Sequence, residues 1–116
     1  MEVFTNEILA ALKANGKAQS AARAEGKHTD FTPVVKLYVP MGQVWLLTEI
    51  PAGDETVVFG LKYSNAGVPE LGHVDLAEFA TLRGRHGFVK RDENFLADKK
   101  LSVYADESTR FGCILA

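Results

Sequence analysis

The chain has one cysteine, Cys113, and therefore no internal disulfide. Its three histidines, His28, His73 and His86, show no H-x-x-x-H spacing, and no cysteine pair accompanies them. A zinc site of the usual tetrahedral kind needs such a ligand set, so no metal is implied. Ser20, Ser64, Ser102 and Ser108 lie in no G-x-S-x-G elbow. Gly53, Gly60, Gly67 and Gly72 are too far apart to cradle a phosphate. The sequence thus implies no cofactor and no catalytic residue. No apolar run approaches the roughly 18 residues that span a bilayer. The first residues, Met1 to Glu7, lack the basic and apolar regions of a secretory signal. With an unpaired thiol, this predicts a soluble protein in a reducing, cytoplasmic setting and no membrane partner. A basic excess is also missing: the net charge is −2, which disfavours a dedicated nucleic-acid binder.

What is present fits one α+β domain spanning residues 1–116. Apolar residues make up 47% and charged residues 24%, ordinary values for a globular chain that buries a core without staples. Charge is unevenly placed. From Glu49 to Glu78 six acids face one base, Lys62, for a local net of −5. From Arg83 to Lys100 six bases face three acids, for a local net of +3. Either the two segments neutralise each other as neighbours, or they make a bipolar surface that steers a charged partner.

The pattern predicts a helical segment over 5–26 and a sheet-containing core over 33–112. Thr5 suits an N-cap with Glu7 in the first turn, and Phe4, Ile8, Leu9 and Leu12 form one apolar stripe. Asn15-Gly16 carries a stop signal, so Lys17 to Lys27 is either a second helix or a continuation through a tolerated glycine. Its alanine-rich composition predicts exposure. Val34 to Val39 and Val44 to Ile50 read as an antiparallel hairpin with large apolar residues on both faces. Thr56 to Tyr63 alternates clearly, with Gly60 leaving room for a close approach. Glu70 to Val74 reads as a short strand, and Asp75 with Glu78 as a capping box for a short helix. Gly87 to Arg91 reads as one edge strand. Phe95 and Leu96 anchor the following loop, and Leu101 to Arg110 forms a last helix with Val103 and Tyr104 inward. The apolar tail Cys113 to Ala116 is expected to pack on the body. The sum is an antiparallel sheet of about four or five strands, with an N-terminal helix and short helices packed on its face and ends.

The candidate binding residues are polar or aromatic positions in that framework. Lys36 interrupts an apolar strand, where it either snorkels at a sheet margin or meets Trp45 or Glu49. Glu49 and Glu70 stand at strand ends; brought together they would suit acid–base work, and apart each would pair with a base such as Lys36, Arg83 or Arg91. His73 beside Asp75 reads as a surface histidine near a helix cap. Arg83, Arg85, Lys90 and Arg91, with Asp92, mark the basic segment.

The blocks Val34-Val35-Lys36-Leu37, Trp45-Leu46-Leu47-Thr48-Glu49, Phe59-Gly60-Leu61, Pro69-Glu70-Leu71-Gly72, Arg83-Gly84, Arg91-Asp92 and Leu101-Ser102 with Tyr104 resemble the domain-of-unknown-function family twenty-nine fifty-eight. The likeness runs from about Ile8 to Tyr104. The chain departs from the family pattern at Lys90, where an acid is usual, and at His73, where an aromatic is usual. The resemblance implies a setting on plasmids, conjugative elements and phages, and it carries over no catalytic residue. That setting leads to the expectation of a non-enzymatic protein-binding module, inhibiting or modulating a host defence system (CRISPR or restriction) or a nucleic-acid complex. Its partner would be a host or defence-system protein or a ribonucleoprotein. Two alternatives stay open: a small enzyme or ligand-binding domain with Lys36, Glu49, Glu70, Arg83 and Arg91 around one pocket, and direct nucleic-acid binding through the 83–100 segment. The oligomeric state is left open.

Overall fold

The computed structural model describes residues 3–40, 42–63, 69–81, 83–84 and 87–111, with the side chains at 80–88 and 111 outside that description. The first helix, α1 (Asn6–Ala24), starts where Thr5 Oγ1 accepts the Ile8 N–H at 3.1 Å. It ends at Gly26, whose φ of 73° suits glycine, with Gly26 N–H donating to Arg23 O and Lys27 N–H to Ala22 O. Between these ends α1 runs unbroken through Asn15-Gly16, so the stop signal there is overridden. The reason is tertiary. A Cβ on Gly16 would lie 1.7 Å from the Ile50 carbonyl oxygen, so the glycine serves close approach to a neighbour and not a turn. Lys17, Ala18, Ser20, Ala21 and Arg23 are exposed as expected, but Gln19 is buried.

Four longer strands follow: β1 (Val35–Tyr38), β2 (Val44–Glu49), β3 (Val57–Tyr63) and β4 (Glu70–Asp75). Then come α2 (Glu78–Thr81), β5 (Arg83–Gly84), β6 (Gly87–Phe88), β7 (Lys90–Arg91) and α3 (Leu101–Phe111). The main sheet is antiparallel in the order β4-β3-β2-β1-β7, and β5 pairs with β6 apart from it. The expected α+β fold with an antiparallel hairpin at its centre is what forms. The single strand expected over Gly87 to Arg91 instead divides. Phe88 pairs with Arg83 while Lys90 pairs with Tyr38, and the buried Val89 between them turns into the core.

Both faces of the sheet are covered, which explains why β1 and β2 do not alternate cleanly. On one face Val35, Leu37, Trp45, Leu47 and Val58 pack with Phe4 and Leu12 from the α1 side and with Phe79. Trp45 meets Phe79 edge-on at 5.1 Å, and Phe79 meets Phe4 at 5.6 Å. On the other face Leu46 and Leu61 pack with Leu101 and Tyr104 of α3. Gly60 allows the close approach expected of it, since a Cβ there would lie 2.1 Å from Leu46 O.

Three local expectations are corrected. Asp75 stays in β4 and accepts the Ala77 N–H at 2.9 Å, so α2 begins at Glu78, later than the capping-box pattern implied. Val103 is exposed at 42%, because Leu101, Tyr104, Ala105 and Ser108 share the inward helical face and position 103 falls nearly opposite. Phe95 packs on the second core, but Leu96 is 90% exposed and anchors nothing. The start of α3 is held from afar: Leu101 N–H donates to Phe31 O at 2.8 Å and Ser102 N–H to Asp30 Oδ1 at 3.2 Å. The tail from Cys113 to Ala116 lies outside the described residues.

Candidate functional site

Two neighbouring features on the acidic side of the molecule share His73. The first arises from a bulge in β2. Pairing with β3 shifts register between Leu47 and Glu49, and Thr48 and Glu49 both end up buried. Here α1 crosses the end of the strand. Ile50 N–H donates to Leu12 O at 2.9 Å, and Asn15 Nδ2 donates to Thr48 O at 2.8 Å. One helical turn further on, the Gln19 amide grips the backbone of Thr29, donating to its O at 2.8 Å and accepting its N–H at 2.9 Å. What remains of Gln19 Nε2 reaches Glu49 Oε1 at 3.4 Å, and Thr48 Oγ1 reaches the same oxygen at 3.5 Å.

Glu49 is therefore 6% exposed and held only by two long hydrogen bonds, with no cation paired to it among the described residues. Buried carboxylates are ordinarily paired, so this arrangement is unusual. A small cavity of about 140 Å³ opens beside it, lined by Gln19, Ser20, Arg23, Glu49 and His73 with the turn at Pro51 to Gly53.

The second feature is β4 itself, at one edge of the sheet. Leu71 is half exposed, and a groove of about 360 Å³ runs along the strand from Lys62 and Glu70 to Asp75 and Glu78. His73 is exposed and tilts against Phe59 at 5.1 Å. Hydrogen bonds from the Thr56 hydroxyl and N–H hold the Asp54 carboxyl below its ordinary pKa, with a smaller electrostatic contribution from His73.

The other candidate residues lie elsewhere. Lys36 pairs with Asp92 at 3.4 Å, not with Glu49. It cannot lie over Trp45 either, because Lys36 is opposite Leu46 and Trp45 is opposite Leu37, placing the two side chains on different faces. Trp45 is 1% exposed, so it is a core residue and not a contact anchor. Glu49 sits in the row of Phe59 and His73, whereas Glu70 sits in the row of Lys62 and Trp45, so the two carboxylates do not meet. Arg91 donates to Val3 O and to Glu93, each at 3.1 Å. Lys90 is exposed, and the side chains of Arg83 and Arg85 lie outside the described residues. The alternative that gathers Lys36, Glu49, Glu70, Arg83 and Arg91 around one pocket is thus not met by its described members, Lys36, Glu49, Glu70 and Arg91.

Within the described part of the basic segment, carboxylates take up much of the charge. Arg91–Glu93 and Lys99–Glu107 are ion pairs, while the segment's own Asp92 is taken by Lys36 of β1. The Glu107 hydrogen bond raises the Lys99 pKa, and burial raises that of Tyr104, which sits 5.1 Å beneath Lys99. A hollow beside them, lined by Asp92, Phe95, Asp98 and Tyr104, is wide and open. No metal-binding cluster occurs among the described residues, and no described helix is long and apolar enough to cross a membrane.

Reasoning from the sequence singled out Glu49 but missed Gln19, whose helix was expected to be exposed. A glutamine within an alanine-rich stretch, one turn after a glycine, is the only signal that pointed to it. No curated protein and no solved structure matches the chain. A family model described as "Protein of unknown function (DUF2958)" matches residues 3–115. Nearly the whole chain is covered, and the protein belongs to that family.

Proposed function

We propose that the protein is a non-enzymatic protein-binding module of a mobile genetic element, acting in the cytoplasm by inhibiting or modulating a host defence or nucleic-acid complex. The observation that supports it best is the acidic side of the sheet. There an edge strand with a half-exposed leucine lies between carboxylates, while the polar residues that a catalytic cluster would need are spread over separate surfaces. Edge strands and exposed apolar residues within a charged rim are common means of protein recognition. The mobile-element setting comes from the family resemblance. The test is a pull-down of the tagged protein from host cells, paired with phage and plasmid interference assays. A specific partner together with relief of interference supports the proposal; neither one removes it.

A ligand-binding reading has one observation in its favour, the Glu49 carboxylate beside its cavity, which forms no ion pair among the described residues. It predicts that methylammonium or guanidinium raises the melting temperature of the wild type and not of Glu49→Gln. Equal shifts in both proteins would dismiss it.

A further inference from the structure

The backbone of β4 has a definite polarity across the strand. Leu76 N–H donates to Thr56 O at 2.9 Å, so the pair Thr56–Leu76 is a hydrogen-bonded one. Hydrogen-bonded and non-bonded pairs alternate in an antiparallel ladder. In the register of β3 with β4, Val58–Val74, Gly60–Gly72 and Lys62–Glu70 are then the bonded pairs. Glu70, Gly72 and Val74 spend their N–H and C=O groups on β3. Leu71, His73 and Asp75 aim theirs outward, and among the described residues no strand pairs with that edge.

From these groups we infer that the outer edge of β4 receives an extended, basic segment of a partner protein as an added sixth strand. The inference rests on the protein-binding reading above and names its surface. Outward amides at every second residue are the template that strand addition needs, and an unprotected edge of this kind otherwise invites aggregation. Charge selects the occupant. Glu70, Asp75 and Glu78 line the groove against two basic side chains, Lys62 and His73, which leaves an acidic excess, so cations opposite Glu70 and Asp75 and an apolar residue opposite Leu71 complement it. A second copy of this chain is a poor occupant. In the antiparallel register using all three outward residues, His73 meets His73, each Leu71 meets an Asp75, and the carboxylates of both copies gather on one seam.

The test is the His73→Pro variant. Proline there removes an outward N–H and obstructs the edge, but leaves the inward ladder of Glu70, Gly72 and Val74 intact. Glu70→Lys/Asp75→Lys is the second variant, should proline perturb folding. The probe is a short fluorescein-labelled peptide with the core Lys-Val-Thr-Thr-Val-Lys, whose lysines are spaced as Glu70 and Asp75 are and whose valine falls opposite Leu71 in either strand direction, followed by fluorescence anisotropy. The same peptide N-methylated at alternate residues keeps the charge and loses edge hydrogen bonding. Saturable binding to the wild type, weakened about tenfold or more by either variant and by N-methylation, is expected. No saturation by about 1 mM, or equal affinity for His73→Pro and for the N-methylated peptide, overturns the inference. A wild-type dimer in sedimentation that His73→Pro dissociates also overturns it, in favour of self-pairing. In the pull-down, a partner retained by His73→Pro keeps the protein-binding reading and removes the β4 edge. A partner lost by that variant alone supports both.

Discussion

Replacing Gly16 with alanine sets two effects of known sign against each other. In an exposed helix the change is worth about 1 kcal/mol in favour of the folded state. Here the new Cβ would lie 1.7 Å from Ile50 O and 2.7 Å from Ile50 C, both backbone atoms that no rotamer change can move aside. Ordinary contact requires α1 to withdraw by roughly 1.5 Å, given carbon contact distances near 3.5 Å. That movement strains the Ile50–Leu12 bond of 2.9 Å and the Asn15–Thr48 bond of 2.8 Å. Overpacking costs about 1–3 kcal/mol and each weakened hydrogen bond about 1 kcal/mol, so the net loss is about 2–4 kcal/mol after the propensity gain. Urea denaturation followed by circular dichroism measures it, with the exposed Ala18→Gly as a control for propensity alone, expected to cost about 1 kcal/mol. A Gly16→Ala protein as stable as the wild type, or more so, would refute the close crossing of α1 over β2.

Trp45→Ala should cost about 3–5 kcal/mol in the same assay, because the ring is fully buried against Phe79. A loss under about 1 kcal/mol would contradict its place in the core. Glu49→Gln should leave stability unchanged or raise it by up to about 1 kcal/mol, since it replaces a buried carboxylate that has two long hydrogen bonds among the described residues. Marked destabilisation would mean that the carboxylate has a stronger partner. Lys99 and Tyr104 both have raised pKa values in the folded protein, so the folded state holds their protons more tightly than the unfolded chain. Their contribution is complete below the unfolded values near pH 10 and is lost as pH climbs through the folded ones. A melting-temperature series from pH 8 to 11 should therefore fall at the alkaline end, and less steeply in Tyr104→Phe. That variant itself should cost about 1 kcal/mol at neutral pH, through the bond its hydroxyl donates to Asp98 Oδ1 at 2.9 Å. An alkaline slope identical in the two proteins would remove Tyr104 from the account.

Local chemistry was enough to read the ends of α1, where Thr5 caps one terminus and Gly26 takes the left-handed conformation at the other. It was enough for the central hairpin, because β-branched and aromatic residues on either side of a short turn have few alternatives. The α+β class and the tight spot at Gly60 followed from the same patterns. Tertiary contact decided the rest. Asn15-Gly16 reads locally either as a stop or as a tolerated glycine; the close approach of Ile50 O is what calls for glycine there, and only the packed structure contains that oxygen. Val89 pulls into the core and divides a predicted strand between two sheets. Lys36 pairs with Asp92 because β7 lies beside β1, a neighbour far away in sequence. The bulge at Thr48 and Glu49 and the position of β4 at the sheet edge are likewise matters of register and strand order. Pairings between distant segments leave no periodic trace in one chain. The residue types were therefore legible from the sequence by itself, and which of them share a surface was settled by the fold.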